Sequence, residues 1–141
     1  MTLAIILDYA FQFVGTPYIW GGNNILQGVD CSGYANEIAR FSGLIGKEDL
    51  KAHDLYLRLS AMPGATDNRG AGAYVFYGSH DAITHVGFMV DENRILEAGG
   101  GGRSVKTVER AREKGALVRG RMIDYRPDRI AIVMPPYDQL P

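Results

Sequence analysis

Gly28-Val29-Asp30-Cys31-Ser32-Gly33 runs directly into Tyr34–Leu44, and this junction decides how the chain folds. Beyond it, Tyr34, Ala35, Ile38 and Phe41 recur at helical spacing, so a helix with one buried face is expected over about 32–41. Cys31, the only cysteine among 141 residues, then stands at a helix start. Unpaired N–H groups and the positive end of the helix dipole favour a thiolate there, and the thiolate is the nucleophilic form. Fifty-four positions later, His85 lies in the apolar strand-like run Thr84-His85-Val86-Gly87-Phe88-Met89-Val90. It would supply the base such a thiol needs, and the pair points to cysteine hydrolase chemistry.

Working outward, Leu3, Ile6, Leu7, Ala10, Phe11 and Val14 predict an amphipathic helix over 2–14, capped by Thr2 and ended by Gly15 with Pro17 beyond it. Tyr18–Asp30, with Gly21-Gly22-Asn23-Asn24 and Gly28, reads as a loop that delivers the chain to Cys31. Leu50, Leu55 and Leu59 mark a third helix over 47–59, followed by a polar loop over 60–72. After that the period changes. Segments 73–77, 84–90, 95–98, 117–122 and 130–134 are short, β-branched or aromatic, and bounded by turn residues, so they read as strands. Segment 103–114 fits either a weak helix or an exposed charged stretch. Helices first and strands afterwards predict an α+β domain, N-terminal helices packed on a central antiparallel β-sheet. Residues 1–141 are taken as a single domain, with 132–141 as an extended tail around Pro135-Pro136 and Pro141.

The net charge of −1 indicates neither a nucleic-acid surface nor an anionic membrane. A single cysteine rules out an internal disulfide and any multi-cysteine zinc or iron–sulfur site. The opening Met1–Asp8 is apolar but has no basic region before it, and Asp8 interrupts it, so it does not read as a signal peptide. No window reaches the roughly 18 to 20 apolar residues of a membrane span. The expected setting is synthesis in the cytoplasm.

Gly15-Thr16-Pro17-Tyr18, Trp20-Gly21-Gly22, Asp30-Cys31-Ser32-Gly33, Tyr74-Val75-Phe76-Tyr77 and Thr84-His85-Val86-Gly87, in this order, resemble the NlpC/P60 family of cell-wall cysteine peptidases over about residues 8–100. The resemblance implies a papain-like α+β core and hydrolysis of peptidoglycan stem peptides, often between D-glutamate and the following diamino acid. It implies Cys31 as nucleophile and His85 as base, with no metal or organic cofactor. Tyr18 matches the tyrosine whose hydroxyl helps the oxyanion site with the Cys31 backbone N–H. Asp30 matches an aspartate implicated in holding a free amino terminus of the stem peptide, and Ser32 would assist there. The family's third catalytic position usually holds His, sometimes Asn or Gln; here it is Glu97, twelve residues after His85. A carboxylate would fix the imidazole tautomer and raise its pKa.

Blander readings stand beside these. Glu97 is either that orienting group or an exposed strand carboxylate. Trp20 either packs or lines the substrate cleft, where it would stack on glycan. His53 reads as solvated, and His80 as a surface residue of Gly78-Ser79-His80-Asp81; a zinc site from His80, Asp81 and His85 matches no strong ligand spacing. Gly99–Gly102 is either a cleft wall admitting substrate backbone or a plain turn. The cluster Arg103, Lys106, Arg110, Arg112 and Lys114 is interleaved with acids and reads as a solvated face. Two further activities remain open, a cysteine amidase or acyltransferase of the same fold, and an inactive structural or wall-binding module. With no export signal or wall-binding repeat visible, the expected route to the wall is a phage one, as a released lysin or a tail component in contact with virion proteins, or else the chain is a bacterial secreted domain whose leader has been removed.

Overall fold

The computed structural model describes residues 1–140. Its helices are α1 (Leu3–Phe11), α2 (Cys31–Phe41), α3 (Ala52–Ser60) and α4 (Val108–Lys114). Two short strands, β1 (Asn23–Asn24) and β2 (Gly28–Val29), pair in the approach to α2. The main strands are β3 (Tyr74–Gly78), β4 (Ile83–Met89), β5 (Arg94–Gly99), β6 (Leu117–Met122) and β7 (Arg129–Val133). They form one sheet of order β6-β5-β4-β3-β7, and each neighbouring pair is antiparallel.

Side chains of a strand alternate between faces, and the sheet separates two cores accordingly. Tyr74, Phe76, Val86, Phe88, Leu96 and Val118 meet the buried faces of the helices. Val75, Tyr77, Met89 and Ile95 lie on the opposite face under Ile123 and Tyr125. His85 is paired with Tyr77 and Glu97 follows Ile95 by two residues, so both belong to this second face. Between Tyr77 and Gly78 the register slips: His85 faces Tyr77 but Ile83 faces Gly78, leaving Thr84 as an extra, bulged residue. Such a bulge bends the strand and re-aims its neighbours.

α2 is fastened from several sides. The Tyr34 hydroxyl donates to the Ala10 carbonyl at 2.7 Å, tying α2 to α1. Buried Asn36 donates to the Leu50 carbonyl at 2.6 Å and accepts from the Leu50 N–H at 3.2 Å, tying it to the segment before α3.

Several boundaries differ from expectation. α1 stops at Phe11, because residues 12–15 turn instead; Phe11 and Val14 are half exposed, while Ile6 and Ala10 carry the buried face. Thr2 has a capping backbone but makes no side-chain cap bond. α3 begins at Ala52, since Asn36 holds the preceding stretch out of helix. The ambiguous segment contains α4, capped by Thr107 and ended at Gly115, whose φ of 63° is the left-handed stop that favours glycine. The tail starts later than residue 132: Ile132 and Val133 lie in β7 and Met134 bridges Thr66. Tyr137 then docks by donating to the Gly72 carbonyl at 2.5 Å.

Candidate active site

Cys31 is the first residue of α2, one earlier than the sequence suggests, because Asp30 is the cap. Asp30 Oδ1 accepts from the Gly33 N–H at 2.7 Å and from the Ser32 hydroxyl at 3.2 Å. The β1–β2 ribbon holds the approach: the Asp30 N–H bonds the Gly22 carbonyl at 3.0 Å and the Val29 N–H bonds the Pro17 carbonyl at 3.1 Å. A side chain on Gly33 would lie 2.3 Å from the Gly22 carbonyl oxygen, so only glycine lets ribbon and helix meet. The Cys31 thiol donates to the carbonyl of the bulged Thr84 at 3.9 Å, and the next residue, His85, borders the same cleft.

The His85 ring is held from its other side. Nε2 is 2.9 Å from Glu97 Oε1, and Glu97 is fully buried, so the exposed-carboxylate reading does not hold. This bond leaves Nδ1 for Cys31. Glu97 itself has two more partners: Arg119 Nε donates to Oε2 at 3.3 Å, and the Tyr125 hydroxyl donates to Oε1. The Tyr125 oxygen is also 3.2 Å from His85 Nε2. Arg119 stands directly opposite Glu97 in the β5–β6 register, and Tyr125 lies in the turn before β7.

The electrostatics follow. Burial disfavours the charged imidazole, but hydrogen bonds and charges from Cys31 and Glu97 outweigh it and raise His85 to about 9. For Glu97, burial is likewise outweighed by His85, Tyr125 and Arg119, and the carboxyl sits below its ordinary value. Burial raises Asp30, opposed by its bond from Gly33. Tyr18 is pushed up to about 12, first by burial and then by the neighbouring Cys31 and Asp30.

Tyr18, Asp30, Cys31, Ser32, His85 and Tyr125 line a cleft of about 910 Å³, and Glu97 is buried behind His85. Trp20 lies on it nearly half exposed, with the Arg103 guanidinium 5.7 Å from its ring centre, so it is a wall residue and not a packed one. The glycine run is a built wall: a side chain at Gly100 would meet the Arg119 guanidinium at 2.7 Å, and one at Gly101 would meet the Tyr18 ring at 2.2 Å. Elsewhere, His80 is exposed. His53 is half-buried, not solvated: its Nδ1 accepts from the Ile83 N–H at 3.1 Å, fixing β4 beside the bulge. Among the described residues, no group of three or more His, Cys, Asp or Glu is placed to hold a metal ion, and no helix is long and apolar enough to cross a membrane. Arg119, Tyr125 and His53 carry no motif; only strand pairing or tertiary packing brings them here.

The sequence pattern of the NlpC/P60 family matches residues 15–122. The chain belongs to the NlpC/P60 family. It is 33% identical over 105 residues to the gamma-D-glutamyl-L-lysine dipeptidyl-peptidase of Bacillus subtilis, covering 72% of this chain and 33% of that one. It is 30% identical over 101 residues to the bifunctional muramidase/DL-endopeptidase CwlT of the same organism, covering 69% and 29%. The chain thus spans a third or less of the curated relatives it matches. The crystal structure of the NlpC/P60 domain of the peptidoglycan hydrolase SagA superposes with a TM-score of 0.67 at 19% identity, covering 94% of this chain and 98% of that one. The P60 domain of the M. avium subspecies paratuberculosis antigen MAP1204 gives 0.64, also at 19%, covering 94% and 93%. The α+β fold expected from the sequence, with N-terminal helices on a central antiparallel sheet, is that of NlpC/P60 domains.

Proposed function

We propose that the chain is a cysteine peptidase that hydrolyses peptide bonds in peptidoglycan stem peptides, at the bond between D-glutamate and the diamino acid. The observation that carries this reading is that Cys31 and His85 line one open cleft, with buried Glu97 hydrogen-bonded to His85 behind it. The wall-enzyme names of the relatives support it.

In this reading the Cys31 thiolate attacks the scissile carbonyl, and the oxyanion is met by the Cys31 backbone N–H and the Tyr18 hydroxyl. His85, charged through its contacts with Cys31 and Glu97, protonates the leaving amine. Now neutral, it takes a proton from water, which releases the acyl enzyme. Glu97 keeps the imidazole in one tautomer. Asp30, with Ser32, holds the free amine of the stem, and Trp20 forms the wall beside it.

The test is digestion of purified cell wall, with products identified by mass spectrometry. New free amino groups on the diamino acid, absent with Cys31→Ala, are expected. Release of whole peptides from lactyl groups would instead show an amidase. No products from either protein would leave a structural or wall-binding module.

A further inference from the structure

We propose that Tyr125 and Arg119 are positioning residues for His85, acting through Glu97. The proposal rests on the cysteine peptidase reading and extends it to two residues outside the motifs.

A buried carboxylate against an imidazole can fail in two ways. It can take the imidazole proton and form a neutral pair, or it can rotate and release the ring. The contacts around Glu97 oppose both. One oxygen, Oε1, receives the His85 Nε2–H and the Tyr125 hydroxyl; the other, Oε2, receives Arg119. With partners on both oxygens the carboxylate has a single orientation, and each donor makes it a weaker base. The imidazole proton therefore stays on Nε2 and Nδ1 stays directed to Cys31.

Tyr125 has one hydroxyl proton, and Glu97 accepts it. Toward the Nε2–H, 3.2 Å away, its oxygen is therefore a secondary acceptor and not a competing proton source. Its ring is itself clamped, edge-on to Tyr77 at 6.1 Å with the Arg121 guanidinium 5.4 Å from its centre. Arg119 is seated just as closely. A Cβ on Gly99 would lie 2.0 Å from Glu97 Oε2 and 3.1 Å from the Arg119 guanidinium, so the glycine run is shaped around this ion pair.

The charged and titratable surroundings of His85 come from every element packed on it. They are Cys31 from α2, Tyr77 from β3, Glu97 from β5, Arg119 from β6, and Tyr125, Arg126 and Asp128 from the turn before β7; His53 of α3 bonds the backbone of β4 two residues away.

The decisive variant is Tyr125→Phe, which removes one hydroxyl and keeps the ring. His85 is titrated by NMR of its ring nitrogens, and kcat and KM are measured on a soluble muropeptide across pH. Glu97 is then a stronger acceptor, so the His85 titration moves upward by roughly 0.5 to 1 unit, kcat falls about 5- to 30-fold, and KM stays within about twofold. Arg119→Gln lowers kcat further, and Arg119→Lys, which keeps the charge, recovers part of the loss. A Tyr125→Phe protein that titrates like wild type overturns the proposal, even if it is less active or less stable, since a packing role alone would not move His85. The NMR titration needs no turnover. An inactive wild type would therefore remove the peptidase reading while leaving this proposal to its own result.

Discussion

The two halves of the cleft are built in different ways. Cys31 is placed by backbone: a glycine-hinged ribbon, a cap at Asp30, and the first turn of a helix. Its neighbours along the chain do the work, within about a dozen residues. His85 is placed by side chains from β4, β5, β6 and the turn before β7, gathered on the sheet face away from the helices. The first half is local and nearly modular. The second is a buried, charge-coupled cluster whose members depend on one another.

The largest expected effect breaks this comparison most directly. Cys31→Ala and His85→Ala should each reduce turnover by about 10³-fold or more. Their stabilities should diverge. Cys31→Ala trims a half-exposed side chain and should melt within a few degrees of wild type. His85→Ala removes the partner that outweighs the burial of Glu97, leaving Arg119 and Tyr125 to hold that carboxylate, and should cost roughly 1 to 3 kcal/mol by denaturant unfolding. Equal stabilities would mean that the second half is as modular as the first.

The same asymmetry governs what the sequence discloses. Cys31 at a helix start, Asp30 before it and the glycines around them are read from adjacent letters, because the forces that place them are local. The helix-then-strand order was legible for the same reason, through hydrophobic period. Glu97 was visible as a position but not as a role: an acid in a short strand looks alike whether it faces solvent or His85, and only burial separates the two. Arg119 and Tyr125 were out of reach. Arg119 is identified by its place opposite Glu97, which requires the β5–β6 register, and Tyr125 sits in a turn with no periodicity. At the end of the chain the two signals overlap, a strand pattern over 130–134 and paired prolines that mark a tail from 132, and the pairing of β7 with β3 through Val133 decides for the strand.

A second, smaller effect tests the charge coupling. His85 sits at about 9 in the folded protein, against roughly 6.5 for a free histidine. The folded state thus binds the proton more tightly, so the pair's contribution to stability is fully present below about 6.5 and is lost as pH rises through about 9. Activity that needs the imidazolium should fall over the same upper range. Glu97→Gln keeps a hydrogen-bond acceptor but removes the charge, so the alkaline limb of kcat/KM should move down from near 9 and the loss of stability over that window should shrink. Turnover should drop about 10- to 100-fold, less than in Glu97→Ala, which also leaves Arg119 unpaired. An unchanged limb in Glu97→Gln would detach the carboxylate from the ionisation of His85.

The smallest effect is expected in the local half, and it separates two jobs given to one residue. Asp30 caps α2 through Oδ1 and, in the proposed function, holds the amine of the stem peptide. Asparagine caps about as well as aspartate but carries no charge, whereas alanine does neither. Asp30→Asn should therefore keep wild-type stability while KM rises several-fold, and only for substrates with a free amino terminus; acetylating that terminus should erase the difference. Asp30→Ala should show the same KM change together with a loss of about 1 kcal/mol, because the Gly33 N–H loses its acceptor. If Asp30→Asn binds free and acetylated substrates as wild type does, the residue is a cap alone, and the local half of the cleft serves to aim Cys31 without reading the substrate.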